Sequence, residues 1–133
     1  MRRVAMTLVA GVAMTALSPV APAARADTGF WRAAGLPGVD AFGVYRRHPA
    51  KVTLSFFLKD TGKDGRDPAV RLAFTGHHGT VVRVVALGPG GPRRRWRTVG
   101  SANTGHLYAQ ECVGRWRKKK FRIGRCGGWR RRY

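Results

Sequence analysis

The sequence predicts an all-β fold, a small antiparallel β-sandwich or barrel of about five to seven strands with a disulfide-braced C-terminal hairpin. Three observations support this prediction. Apolar and polar residues alternate in several short runs, turn signals rich in glycine and proline recur every 8–12 residues, and no run has the 3.6-residue period of a helix. Together they are typical of an antiparallel β-protein.

The first 26 residues have the pattern of a signal peptide. Arg2-Arg3 precedes a 14-residue apolar run, and the small residues after it end in Ala24-Arg25-Ala26. The run is shorter than the roughly 20 residues that a transmembrane helix needs. We therefore expect cleavage after Ala26 and a secreted, extracellular protein with one β-rich domain over residues 27–133.

The strands can be assigned in chain order. Residues 27–50 are rich in glycine and proline, and they form either short strands or an irregular arm over the core. The later runs alternate more clearly. The β-branched run 80–87 is largely continuous and apolar, as a strand buried on both faces would be. Strands are predicted at 51–58, 69–75, 80–87, 95–99, 106–113 and 121–126, with a basic tail at 127–133.

The charge is strongly positive and unevenly distributed. The chain has 26 Lys and Arg against six Asp and Glu, a net charge of +20. Residues 93–133 carry 14 of the basic residues and a single acid, Glu111. Such a surface favours anionic partners, whether nucleic acid, cell-wall polymer or lipid headgroups.

Cys112 and Cys126 are the only cysteines. Two cysteines in a secreted chain most simply pair with each other. The pairing implies a hairpin with its tip at Lys118-Lys119-Lys120. With an uninterrupted register, Trp116 is opposite Arg122 and Arg117 is opposite Phe121.

The layout resembles that of small uncharacterised secreted proteins of streptomycete-type bacteria. The residues that carry the resemblance are the loop Lys59-Asp-Thr-Gly-Lys-Asp-Gly-Arg66, the run His106-Leu-Tyr-Ala-Gln-Glu-Cys112 and Cys126-Gly-Gly-Trp129. It implies a secreted β-rich protein and supplies no function.

No metal, cofactor or catalytic site is predicted. The loop at Asp60 lacks the carboxylate that a calcium loop needs at position 12, and His77-His78 lacks the spacing of a zinc site. A ribonuclease-like site needs an acid and a base, but His106 and Glu111 would face opposite sides of one strand. We expect Glu111 to partner an arginine instead.

Three basic clusters contain aromatic residues, a combination that suits a polyanion because guanidinium groups bind phosphate or sulfate while rings stack on bases or sugars. The predicted function is therefore non-catalytic binding of anionic polymers by a protein taken as a monomer. A small secreted hydrolase and a cationic antimicrobial toxin are the alternatives. The predicted polyanion-binding residues are Arg93, Arg94, Arg95, Trp96, Arg97, Arg115, Trp116, Arg117, Lys118, Lys119, Lys120, Arg122, Trp129, Arg130, Arg131 and Arg132.

Overall fold

The structure is a computed structural model that describes residues 26–133, so the predicted signal peptide lies outside the described residues except for Ala26. The described chain is all-β and forms two antiparallel sheets around a shared core, which confirms the predicted fold class. The strands are β1 (Asp27–Ala33), β2 (Val39–Arg47), β3 (Val52–Asp60), β4 (Asp67–Gly76), β5 (Gly79–Ala86), β6 (Arg94–Ser101), β7 (Leu107–Arg117), β8 (Lys120–Cys126) and β9 (Arg130–Arg131).

Sheet A has the strand order β1-β2-β3-β6. Of the two alternatives for residues 27–50, the structure has strands, since this segment forms the β1–β2 hairpin and not an irregular arm. The physical reason is a period-2 pattern that the frequent glycines obscure: Trp31 and Ala33 on β1, and Val39 and Ala41 on β2, are all buried.

Sheet B has the strand order β5-β4-β7-β8. The short strand β9 pairs with Tyr108 and Ala109, on the edge of β7 that β8 occupies farther along. The Gly127 N–H donates to the carbonyl oxygen of Glu111 at 2.9 Å, and the Arg132 N–H to that of Leu107 at 2.7 Å. Residues 127–133 are therefore docked on β7 and do not form a free basic tail.

The interpretation of residues 80–87 as a strand buried on both faces is wrong. β5 is the edge strand of sheet B, and Val82 and Val84 on its outer side are 44% and 50% exposed. Only its inner side, through Val85, packs against the core. The continuous apolar run reflects an uncovered outer face, which the sequence pattern cannot distinguish from a covered one.

The core fills the space between the two sheets. Trp31 and Phe56 meet edge to face with ring centroids 5.0 Å apart. Burying a side chain such as Leu or Phe contributes roughly 1.5–3 kcal/mol. The large apolar side chains with no exposed surface are Leu54, Phe56 and Leu58 of sheet A and Leu72, Phe74 and Leu107 of sheet B.

The stacking of the sheets fixes where the basic segments lie. β1 and β2 contact β7, and β3 contacts β4, so β6 and β8 occupy opposite side edges of the sandwich. Along the strands, however, the start of β6 and the tip of the β7–β8 hairpin share one end, because Lys59 pairs with Arg94 and Asp67 with Gly114. We call residues 61–66, 87–95 and 115–122 the basic end.

Candidate anion-binding surface

The β7–β8 hairpin forms the tip of the basic end. Its register pairs Arg115 with Arg122 and Arg117 with Lys120, so these four basic side chains share one face. Trp116 pairs with Phe121 on the other face. Lys118 and Lys119 form the two-residue connection, and their φ angles of 47° and 64° are those of a type I′ turn, which matches the twist of the strands.

The predicted hairpin register is correct at the cysteines and wrong at the tip. Val113 pairs with Arg125 but Gly114 pairs with Ile123, so Gly124 is an extra residue in β8, a β-bulge. The bulge shifts the later pairs by one position. It places the basic side chains together on one face and the aromatic ones on the other, whereas the uninterrupted register would have mixed them.

The predicted disulfide is present. Cys112 and Cys126 are directly opposite in the register, with Cα atoms 4.1 Å apart, and they are bonded to each other. The bond joins β7 to β8 just before the bulge. It therefore holds the two strands together where the ladder is interrupted.

Trp116 attaches the tip to the sandwich. Its indole N–H donates to the carbonyl oxygen of Leu87 at 2.6 Å, and its ring meets Phe121 at a centroid distance of 5.6 Å. Its hydrogen-bond donor is thus satisfied within the protein, and the ring is partly buried. The structure places this tryptophan as a packing residue rather than an open stacking platform.

The basic cluster at residues 93–97, at the start of β6, has an exposed tryptophan. Trp96 is 48% exposed and meets Phe57 edge to face at 4.7 Å, while the Arg94 guanidinium lies 4.3 Å from the centroid of the same Phe57 ring. Arg93 is partly neutralised, because its Nε is 3.6 Å from the Asp60 carboxylate and it also donates to the Gly62 carbonyl oxygen. Arg95 and Arg97 complete this cluster along the edge of sheet A.

The third basic cluster, residues 129–133, is separated from the basic end, because β9 pairs with Tyr108 and Ala109 near the start of β7. Trp129 is 41% exposed and lies under the Arg71 guanidinium, 5.1 Å from ring centroid to Cζ. Arg130 and Arg131 are exposed. Arg132 is interior, with only 15% of its side chain exposed, and burial is the main reason why its pKa is lowered.

Glu111 lies between the sheets and is 1% exposed. Its Oε1 accepts a hydrogen bond from the Gly35 N–H at 3.1 Å and is 3.9 Å from Nη2 of Arg132. The expected arginine partner is therefore Arg132. Within residues 26–133 no histidine hydrogen-bonds to Glu111, and His106 instead has Nδ1 3.3 Å from the carbonyl oxygen of Tyr133. These two residues do not assemble an acid–base pair.

The remaining histidines lie at the end opposite the basic end. His77 and His78 form the β4–β5 turn, as the sequence predicts. His48 and His78 each line a cavity there. In the part of the chain that the structure describes, no group of three or more His, Cys, Asp or Glu side chains could hold a metal ion. The same residues contain no helix long and apolar enough to cross a membrane.

Most charges of the basic end have no acidic counterpart. Arg66 is 3.8 Å from Asp64, and Arg93 is 3.6 Å from Asp60. Of the other acids, Asp67 makes no ion pair within residues 26–133, and burial is the main reason why its pKa is raised, with the Asp60 charge second. Nine basic residues of this end make no ion pair with a described residue: Lys63, Arg94, Arg95, Arg115, Arg117, Lys118, Lys119, Lys120 and Arg122.

Sequence reasoning missed two contributors to this surface, Lys63 and Arg66. Both lie in the β3–β4 loop, which the sequence presents as a solvated turn. Only the pairing of Asp67 with Gly114 shows that the loop ends beside the hairpin. The only sign of them in the sequence was weak, because it consisted of two basic residues shortly before the start of a strand.

Comparisons of the chain with protein-family models, with curated proteins and with solved structures find no match.

Proposed function

We propose that this protein is a secreted, non-catalytic basic protein that binds anionic polymers through its basic end. The observation that supports the proposal best is the set of nine basic side chains there that make no ion pair within residues 26–133. Charges held together without acidic counterparts raise the local positive potential and attract polyanions. Neutralising them with phosphate or sulfate releases counterions, which makes such binding salt-dependent.

Aromatic residues add a second type of contact. Trp96 and Trp129 expose 48% and 41% of their surface, so their rings are available for stacking on bases or sugars. Trp96 is next to the basic end, whereas Trp129 lies on the side edge of the sandwich. We therefore assign the main role to Trp96, and we leave the interior Arg132 out of the surface.

The binding is proposed to be weakly selective among anionic polymers. The basic groups sit on an exposed hairpin tip and on the start of an edge strand. Contacts of this kind are made to backbone phosphates and carry no sequence information. Nucleic acid, a cell-wall polymer of the teichoic acid type and anionic lipid headgroups are the partners that fit this chemistry.

Secretion is part of the proposal. The bond between Cys112 and Cys126 is compatible with an oxidising, extracellular environment. The pattern of residues 1–26 supports export and cleavage after Ala26. N-terminal sequencing of the exported protein should find Asp27 first, and a chain that still starts at Met1 would contradict this part of the proposal.

The test is a titration of fluorescent DNA and of a heparin-like polymer at several salt concentrations. If about six phosphates are neutralised on duplex DNA, the slope of log affinity against log salt should be near −5. Heparin should show a similarly strong salt dependence. Weak binding of both polymers at low salt, or tight binding that ignores salt, would falsify the proposal. Turnover of RNA, DNA or a cell-wall polymer would favour the hydrolase alternative instead.

A further inference from the structure

A shallow cavity of about 260 Å³ lies beside the β-bulge of the β7–β8 hairpin. Two strands and the preceding β3–β4 loop form its wall. Four of its seven lining residues are arginines, and no acidic residue lines it. The lining residues are Arg66, Gly114, Arg115, Arg117, Arg122, Ile123 and Gly124.

The arginines are held together by the backbone. Arg115 is directly opposite Arg122, and Arg117 follows two residues later on the same face of β7. Like charges directly opposite each other in a sheet are destabilising. Arg115, Arg117 and Arg122 have no carboxylate within 4.0 Å among residues 26–133, and Arg66 has only the exposed Asp64 at 3.8 Å. The arrangement is one that a multivalent anion would stabilise.

Two glycines line the cavity beside the arginines. A Cβ atom at Gly114 would overlap the carbonyl oxygen of Arg122, so only glycine fits that close approach of the strands. At Gly124, the bulge residue, the nearest atom to a Cβ would be the carbonyl oxygen of Val113 at 3.5 Å. Glycine at position 114 therefore permits the close approach of the two strands at the bulge, and Gly124 adds no side chain to the cavity wall.

We propose that this cavity is a discrete site for phosphoryl groups, either free phosphate and pyrophosphate or the phosphodiester of a polymer. Guanidinium groups bind tetrahedral oxyanions through paired N–H donors, and a phosphoryl group has enough oxygens to engage several of them. At about 30 Å³ for each water molecule, the volume corresponds to roughly nine waters, which is room for one or two phosphoryl groups. The inference rests on the proposed polyanion binding only for the natural source of the phosphoryl group.

The test uses the ¹⁵N-labelled secreted protein, titrated with sodium phosphate and pyrophosphate at constant ionic strength. The amide resonances of Gly114 and Gly124 report on the cavity, and those of Gly88 and Gly90 in the β5–β6 loop are internal controls. If the cavity is a site, the amide chemical shifts of Gly114 and Gly124 should change and reach saturation. Those of Gly88 and Gly90 should not. Shifts that grow linearly and equally at every basic segment would indicate a diffuse ion atmosphere and would overturn the inference.

Matched variants separate the site from the general charge. Arg115→Gln with Arg122→Gln should weaken pyrophosphate binding by about tenfold or more, because each charge-assisted hydrogen bond contributes well over a factor of ten. Lys118→Gln with Lys119→Gln removes the same charge from the same hairpin, and it should change the affinity by less than about threefold. Arg66 lies in a loop, so the variant Arg66→Gln repeats the test without altering a strand. Equal losses in the two double variants would contradict the site.

Adding single-stranded DNA to the pyrophosphate complex distinguishes the two sources of the phosphoryl group. Displacement of pyrophosphate supports a phosphodiester in this cavity, and DNA binding without displacement supports free phosphate or pyrophosphate. If DNA binds but neither anion shifts Gly114 and Gly124, the cavity inference fails while the proposed function stands. If pyrophosphate saturates the cavity but no polymer binds, the proposed function fails and the site stands.

Discussion

The Glu111 carboxylate lies 3.9 Å from the Arg132 guanidinium in the interior of the sandwich, and it also accepts a hydrogen bond from the Gly35 N–H. The only acid among residues 93–133 is thus used to fix the end of the chain and the β1–β2 turn. It is not available to neutralise the surface. The acid that could reduce the positive charge of this segment therefore stabilises the fold instead.

Glu111→Ala should destabilise the protein by about 3 kcal/mol, because it leaves the largely buried Arg132 charge and the Gly35 N–H without a partner. Urea unfolding at neutral pH measures the effect. Asp64→Ala is the control, since Asp64 and Arg66 form an exposed pair that contributes about 0–1 kcal/mol. Similar losses in both variants would show that the buried pair has no special role.

Removing the disulfide with Cys112→Ser and Cys126→Ser should lower the thermal midpoint by roughly 12–24 °C, because closing a loop of about 15 residues contributes about 3 kcal/mol and each kcal/mol corresponds to about 4–8 °C. The wild-type protein in reducing agent is the matched control. It should unfold at the same temperature as the double variant. An unchanged midpoint would refute the bracing role.

Substitutions in the turn between β7 and β8 should be able to stabilise the protein. Lys118 and Lys119 both have positive φ, which costs a side-chain-bearing residue about 1–2 kcal/mol. Lys118→Asn with Lys119→Gly supplies the residues that a type I′ turn favours and should stabilise the protein by about 1 kcal/mol. Lys118→Gln with Lys119→Gln relieves only the charge repulsion. If it stabilises equally, the backbone explanation is wrong.

Tyr133 should make the free energy of unfolding depend on pH in the alkaline range. Burial raises its pKa to about 12, and its hydroxyl has no hydrogen-bond partner within residues 26–133. An unfolded tyrosine has a pKa of about 10, so the unfolded state loses its proton first and stability falls as the pH rises from about 10 to 12. Tyr133→Phe should lessen this fall and be neutral or stabilising at pH 8. Unfolding free energies of both proteins across this range provide the measurement, and an equal decline in both would contradict the assignment.

The sequence predicts the fold class, the positions of the main strands and the disulfide, because alternation and cysteine count are local signals. It does not decide between strands and an irregular arm for residues 27–50, because frequent glycines hide the alternation of Trp31 and Ala33. It also cannot show that β5 is an edge strand, since an outer face such as that of Val82 and Val84 is apolar whether or not another layer covers it.

The candidate site is predicted in composition but not in arrangement. The only local sign of the β-bulge is Gly124 itself, an isolated glycine within a strand, yet the bulge sets the register that places Arg115 opposite Arg122. Similarly, Arg131 and Arg132 are neighbours in the sequence, but one is exposed and the other is interior beside Glu111. These outcomes depend on contacts between segments far apart in the chain, which local patterns do not encode.

The central claim is that the basic end, rather than net charge alone, binds polyanions. The most direct measurement compares two triple variants with the same change in net charge. One variant replaces Lys118, Lys119 and Lys120 at the hairpin tip with Glu. The other replaces Arg46, Lys51 and Arg83 with Glu. These three residues are exposed, make no ion pair within residues 26–133 and lie away from the basic end.

Affinity for duplex DNA is measured for both variants at several salt concentrations. If three of about six phosphate contacts are lost, the hairpin variant should bind far more weakly and its salt slope should change from about −5 to about −2.5, while the other variant keeps a slope near −5. Equal weakening and equal slopes in the two variants would contradict the claim.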